Sequence, residues 1–381
     1  MTRYAFGLLV LGLSVSSGYA DKRPIAVADL FAFQRVADPQ ISPDGKLVVY
    51  QVSSVDLGAN KSTTNLWLAD VSRKSPPRRL TSSTKADRHP RWSPDGTQIL
   101  FESTRSGENQ LWVIDLAGGE ARQLTTISTG ASNAIWSPDG KSIAFVSAVF
   151  PEYSDKPFKE ADAANKKRLD EAEKGPVKAR VFTRLFYRHW DEYVEDKRQH
   201  LFVIPAEGGE PKDITPGDRD ANPTSTTFSV GDDFTFSPDG KHVIFTAVPD
   251  RDEAWSTDYD ICRVPVAGGG KPAPLTKANR AADNAPRFSP DGKRLAWRAQ
   301  KRAGYEADKW DILVADYLAD GPLGEPKNLT GGKDVSVNEF VWLADGKTLL
   351  FTADENGSSP IWETNLAGGE IRKFSEGGQN T

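Results

Sequence analysis

One short phrase recurs six times along this chain. It reads "RWSPDGTQILF" from Arg91 to Phe101, and it returns as "ISPDGKLVVY", "IWSPDGKSIAF", "FSPDGKHVIF", "FSPDGKRLAW" and "WLADGKTLLF". Asp44, Asp95, Asp139, Asp239, Asp291 and Asp345 mark the copies. Self-similarity of this kind means that one supersecondary unit is stacked on its neighbours, because no single unit of that size buries its own apolar face. The repeat therefore limits the fold before any other property is considered.

A second phrase follows each copy: "NLWLADV", "QLWVIDL", "HLFVIPA", "DICRVPV", "DILVADY" and "PIWETNL". Most units then show a Gly-rich turn, as at Gly118-Gly119, Gly208-Gly209, Gly268-Gly269 and Gly368-Gly369, and close on Leu-Thr or a variant, as at Leu80-Thr81 and Leu329-Thr330. One unit thus reads as four short strands. Apolar residues alternate in "QILFES" and "LWVID", as half-buried antiparallel strands require. Four strands in about fifty residues match the blades of a β-propeller, whereas a sandwich has no need of six near-copies. The expected fold is all-β: a propeller of four-stranded antiparallel blades. Six repeats fit a six-bladed ring or an incomplete seven-bladed one.

The repeated phrase has a structural role at every copy. Proline sets φ for the first corner of a type I turn. Aspartate tolerates the second corner and accepts a backbone N–H. Glycine takes the left-handed conformation that restores strand direction. Six catalytic Ser/Asp pairs on one chain would be implausible, and no histidine recurs with them.

Two inserts break the rhythm. The interval from Asp139 to Asp239 is about twice the one from Asp44 to Asp95, and the surplus lies between residues 150 and 200. Its first part, "SDKPFKEADAANKKRLDEAEKGP", is charged and helix-forming, ends at Gly175-Pro176, and predicts a solvated helix. Its second part, "VFTRLFYRHWDEYVEDKRQHLFV", predicts a hairpin leading into the third strand of the third blade. A smaller acidic and aromatic insert, "VPDRDEAWSTDYD", occupies the same place in the next unit.

The net charge of −5, with both signs interspersed, gives no reason to expect nucleic acid or an anionic membrane as partner. The first twenty residues, "MTRYAFGLLVLGLSVSSGYA", carry Arg3, a short apolar run and small residues at Gly18 and Ala20. That is the secretory signal pattern, too short for a comfortable membrane span. The expected organisation is a signal peptide over 1–20 and a propeller over 21–381, exported to the periplasm or the medium. The single cysteine, Cys262, excludes an intrachain disulfide and reads as core filler.

Standard catalytic signatures are missing. Gly130-Ala131-Ser132-Asn133-Ala134 is the nearest approach to G-x-S-x-G, and it precedes a blade strand rather than a strand–turn–helix elbow. The phosphate loop lacks its first glycine, and there is no H-E-x-x-H or C-x-x-C. His89, His189, His200 and His242 show no ligand spacing. No catalytic residue, metal or cofactor is expected. The exception is "RLFYRHWDEYVEDKR", Arg184 to Arg198, where acids sit among Phe186, Tyr187, His189, Trp190 and Tyr193. Carboxylates beside aromatic rings can clamp an ammonium group by charge and cation–π contact. An amphipathic hairpin packed on its blade is the competing reading.

With these phrases the chain resembles the N-terminal propeller of the prolyl oligopeptidase (S9) family of serine peptidases. Its "FYRHWDEY" insert is most similar to the dipeptidyl-peptidase and acylaminoacyl-peptidase branch. The repeat phrases alone are shared with TolB-like periplasmic propellers. The resemblance implies a substrate-gating and substrate-binding propeller, a peptide substrate, and a C-terminal α/β-hydrolase partner domain that this chain lacks. It also implies that Asp191 and Glu192 hold the substrate's amino terminus, while Arg184, Tyr187 and Arg188 orient the peptide or the acids. Homo-oligomers are compatible with it. The alternatives are a stand-alone TolB-like protein-binding module and, more distantly, a lyase or lactonase using a metal in the central channel.

Overall fold

The computed structural model describes residues 23–182, 185, 187–189, 192–193, 196–223, 231, 233–248, 254–368 and 370–375. The expected signal peptide lies outside them. Six four-stranded antiparallel sheets follow one another as blades in a ring. Five blades take their strands in simple succession, as in blade 2 (Asp87–Trp92, Gln98–Ser103, Gln110–Asp115, Arg122–Gln123). Blade 3 keeps the same order but carries the long insert between its second strand, Ser142–Val149, and its third, Arg198–Pro205. Among the described residues two α-helices accompany the blades: a single turn α1 (Asp29–Ala32) and the insert helix α2 (Phe158–Lys174).

Each repeated turn is built by its own side chains. In blade 2 the Ser93 hydroxyl donates to Asp95 Oδ1 at 2.6 Å, and Asp95 Oδ1 accepts the Thr97 N–H at 3.0 Å. Ser93 Oγ also accepts the Gln98 N–H at 2.9 Å. The Gly96 N–H closes the turn on the Ser93 carbonyl at 2.9 Å, with Gly96 at φ +72°. The same bonds recur around Asp44, Asp139, Asp239 and Asp291. Donation by the neighbouring serine is the largest influence on these carboxyls and holds each below its ordinary value; Asp44, also paired with Lys46, is held at about 2. Blade 6 has Leu343 in place of the serine. There Asp345 accepts instead from the Thr348 hydroxyl at 2.6 Å, which keeps it low.

The residues flanking the turn tie one blade to the next. Trp92 Nε1 donates to the Gln40 carbonyl at 2.9 Å, Trp136 to Arg91 at 3.2 Å and Trp342 to Arg287 at 3.2 Å. Each bond reaches the first strand of the preceding blade. The turns also stack. A Cβ on Gly96 would lie 3.5 Å from Pro43 of the preceding turn, and one on Gly292 only 2.7 Å from Pro238. Near the same end, Arg122 donates to the Ala206 carbonyl at 3.2 Å, Arg263 to Leu318 at 3.0 Å and Lys327 to Ala367 at 2.6 Å. These acceptors belong to the turn before the fourth strand of the following blade.

The closing threonine, replaced by Ser375 in blade 6, completes each sheet. Its hydroxyl accepts a backbone N–H from the third strand, as in Leu111 to Thr125, Leu201 to Thr215 and Ile312 to Thr330, each at 2.9 Å. An inward N–H that the two-residue fourth strand cannot reach is thereby satisfied.

Among the described residues five apolar clusters fill the spaces between the six successive blades, one for each neighbouring pair. Cys262 lies in the cluster between blades 3 and 4, and burial pushes its thiol up to about 12, which suits an inert core residue. The second strands of blades 2 to 5 are buried on both faces, as in Ile99–Ser103. The end blades differ. In blade 6 burial alternates, with Leu349, Phe351 and Ala353 inside and Leu350 and Thr352 half-exposed. In blade 1 only Val49 and Val52 of that strand are buried. Among the described residues, no apolar cluster joins blade 6 to blade 1.

Candidate substrate-binding surface

The surface worth following is the blade 3 insert. It leaves the second strand through a short turn at Pro151–Tyr153 and continues as α2. The helix was expected to be solvated, but one face docks. Asn165 is buried; its Oδ1 accepts the Phe150 N–H at 2.9 Å and its Nδ2 donates to the Ala161 carbonyl at 3.0 Å. Asp162 Oδ1 accepts the Ser128 N–H and hydroxyl at 2.8 and 2.7 Å. Phe158 meets Phe202 edge-on with centroids 6.4 Å apart. Arg168 bridges Glu152 and Asp196, and its guanidinium lies 3.9 Å above the Phe150 ring. Gly175 ends the helix, as its place in the sequence predicts.

A short hairpin follows. Arg188 pairs with Tyr193 and His189 with Glu192. Phe182 stacks on Tyr187 at 4.5 Å and on Tyr193 at 5.4 Å, while the Arg180 guanidinium sits 4.2 Å above Tyr193. These rings are not core. Phe182 and Tyr187 are each 38% exposed and Tyr193 43%, and Val181 and Leu185 beside them are exposed too.

Tyr187 and Tyr193 thus share a stack through Phe182, and exposed Arg188 lies opposite Tyr193 in register. Of the expected site residues, Asp191 and Arg184 lie outside the described residues, and for Glu192 only the strand position is described. Of the residues expected to clamp an ammonium group, Tyr187 and Tyr193 are described, whereas Phe186, Trp190 and Asp191 lie outside the described residues.

The foot of the insert is held by buried charge. Arg198 donates to Asp218 at 2.9 Å and to Asp220 at 3.3 Å, and Asp220 accepts the Gln199 N–H at 2.6 Å. Fully buried His200 has Nδ1 2.7 Å from Asp213 and Nε2 2.8 Å from the Gly217 carbonyl. Both ring nitrogens are engaged structurally.

Sequence reasoning passed over a second set of residues, most of them polar, where first strands bulge. Asp38, His89, Asn133 and Ala285 sit at the bulges with φ between +49° and +55°. At such a bulge side chains are re-aimed. Asp38 accepts from Arg91 of blade 2 at 2.9 Å, and buried Glu102 accepts the Asn133 N–H of blade 3 at 2.7 Å, the Asn109 amide at 2.9 Å and Arg88 at 3.2 Å. These carboxylates bridge blades. The spacing of the first strands is their only trace in the sequence, since the acids themselves follow no motif. Among the described residues no group of His, Cys, Asp and Glu is arranged to hold a metal ion.

Repeated blades and stacked turns define the class as a β-propeller, and residues 26–160 match the family model described as "TolB beta propeller domain". The chain is 31% identical over 349 residues to dipeptidyl-peptidase 5 of Porphyromonas gingivalis, covering 90% of this chain and 48% of that protein. It spans about half the length of the curated relatives it matches. In fold it is similar to Pyrococcus horikoshii acylaminoacyl peptidase, with a TM-score of 0.64 at 19% identity over 91% of this chain and 47% of that one. It is also similar to the propeller domain of the Trilobed protease from Pyrococcus furiosus, described as having an open velcro topology, with a TM-score of 0.56 at 17% identity over 91% and 84% of the two chains. These matches support an N-terminal propeller like those of the prolyl oligopeptidase (S9) family of peptidases.

Proposed function

We propose that this propeller is the substrate-binding and substrate-gating part of an exported dipeptidyl-peptidase-like enzyme, acting with an α/β-hydrolase domain that supplies the catalytic serine, aspartate and histidine. The observation that carries the reading is the match along nine-tenths of this chain to a dipeptidyl peptidase about twice as long. The exposed Phe182–Tyr187–Tyr193 surface supports it, because stacked rings beside arginine side chains suit the side chains and carbonyls of an extended peptide. In this reading Asp191 and Glu192 receive the substrate's ammonium group, and Arg184, Tyr187 and Arg188 align the peptide.

The chain by itself leaves chromogenic dipeptidyl and acyl-aminoacyl substrates uncleaved. Turnover that persists through rigorous purification would refute that part. Binding of a tetrapeptide amide with a free amino terminus, followed by calorimetry, is weakened by N-acetylation and by the double variant D191N/E192Q. Equal binding of acetylated and free peptide removes the assigned role of the two acids. Export is tested by the N-terminal sequence of the mature protein, which begins near Asp21.

A further inference from the structure

A cavity of about 470 Å³ lies between α2 and the outer part of blade 3, away from the hairpin. Its size falls within the range of small-molecule sites. Ile127, Phe150, Phe158 and Phe202 form an apolar floor. The interior polar groups already have partners. Asp162 is bonded to Ser128, Asp213 to His200 and the Thr215 N–H, and Lys212 to the Ala267 carbonyl.

Two charges of opposite sign remain available on the lining. Exposed Lys156 has no carboxylate partner among the described residues; its ammonium lies 5.3 Å from the Tyr153 ring centroid. Glu210 makes only a loose 3.7 Å contact with Lys159, whose side chain is 86% exposed. Such an exposed pair is worth little and yields readily to a competing partner.

An aromatic floor with one cation and one anion on its lining matches a small zwitterion carrying a large apolar side chain. We propose that this cavity binds an α-amino acid or dipeptide of that kind. The carboxylate meets Lys156, the ammonium meets Glu210, and the side chain fills the space against Phe150, Phe158 and Phe202. The site is separate from the hairpin and independent of the peptidase reading.

The test uses L-leucyl-L-phenylalanine with the 381-residue chain, followed by calorimetry. Saturable binding is expected, weakened about tenfold or more by K156M, by E210Q, by N-acetylation and by C-terminal amidation of the ligand, which is the scale of one lost charge-assisted contact. A161W, which fills the cavity, abolishes it, and its melting temperature checks that the fold survives; K156M, on an exposed side chain, tests the site should A161W unfold. The double variant D191N/E192Q leaves this binding unchanged, which separates it from peptide binding at the hairpin. No saturable binding at millimolar ligand overturns the proposal, as does binding indifferent to K156M or to removal of either ligand charge.

Discussion

Asp283 opens the first strand of blade 5 and is fully buried. Its Oδ1 accepts from Asn279 at 3.1 Å and Trp297 at 2.9 Å, while Oδ2 has no hydrogen-bond partner among the described residues. Burial dominates and pushes this carboxyl up to about 7; the charge of Asp260 adds to the rise, and the donors Asn279, Trp297 and Thr276 oppose it. Because the folded value lies above the unfolded one, near 4, the neutral form favours folding. The contribution is complete below about pH 4 and is lost as the pH climbs through 7. One proton carries about 1.4 kcal/mol per pH unit, so the whole window contains on the order of 4 kcal/mol. D283N keeps a neutral side chain at every pH and removes this dependence. Urea unfolding of both proteins at pH 4.5, 6.0 and 7.5 provides the assay, and the difference between them cancels the titration of the histidines. The difference should move in the variant's favour by several kcal/mol from the lowest pH to the highest. A difference independent of pH would refute the reasoning. The turn carboxylates do not interfere: their values are depressed, so their stabilisation is present above about pH 4 and is lost only in stronger acid.

Three further outcomes follow from the blade contacts. W92F deletes the bond from Trp92 to the Gln40 carbonyl and should cost about 1 kcal/mol in urea unfolding, the worth of a typical net hydrogen bond. T330V strands the buried Ile312 N–H and should cost about 1–3 kcal/mol, whereas T330S should restore most of it. Gly240 and Gly292 sit at φ +70° and +68°, so alanine strains both by about 1–2 kcal/mol; only G292A also drives a Cβ into Pro238, and it should lose roughly 1–3 kcal/mol more than G240A. Equal losses would mean that the turns do not bear on one another.

The blades were legible because their information is local. "SPDG" carries its own hydrogen-bond partners within six residues, and "LW" alternation repeats on a fixed interval, so the strands could be placed without tertiary knowledge. The insert helix was legible from its charge and its Gly-Pro end, but its docked face was not, since Asn165 and Asp162 look like solvent residues until Phe150 and Ser128 come beside them. Tryptophan before the turn read simply as apolar; its indole donor finds a partner one blade away, about fifty residues back. Buried Asp283 and Glu102 were invisible for the same reason. At the hairpin the β character was readable from composition, and the stacking of Phe182 with Tyr187 and Tyr193 follows from it. The cavity under α2 was not, because its walls come from four separate stretches of chain.

The stacked turns divide the labour between the two rims of the disc. Pro-to-Gly contacts and cation-to-carbonyl bonds gather at the rim where first strands turn into second ones, and so set the pitch from one sheet to the next. The opposite rim, where second strands turn into third ones, is joined differently, by bonds such as the Ala131 N–H to the Asn109 carbonyl at 2.8 Å, and there blade 3 accommodates an insertion about as long as a blade itself. One edge is a gear and the other a shelf. A small peptide tag spliced into the blade 6 tip between Glu355 and Ser358 should leave the melting temperature nearly unchanged, whereas the same tag between Asp291 and Gly292 should lower it sharply. New specificity can accumulate on the shelf, through longer and more varied loops, without asking the gear to be recut.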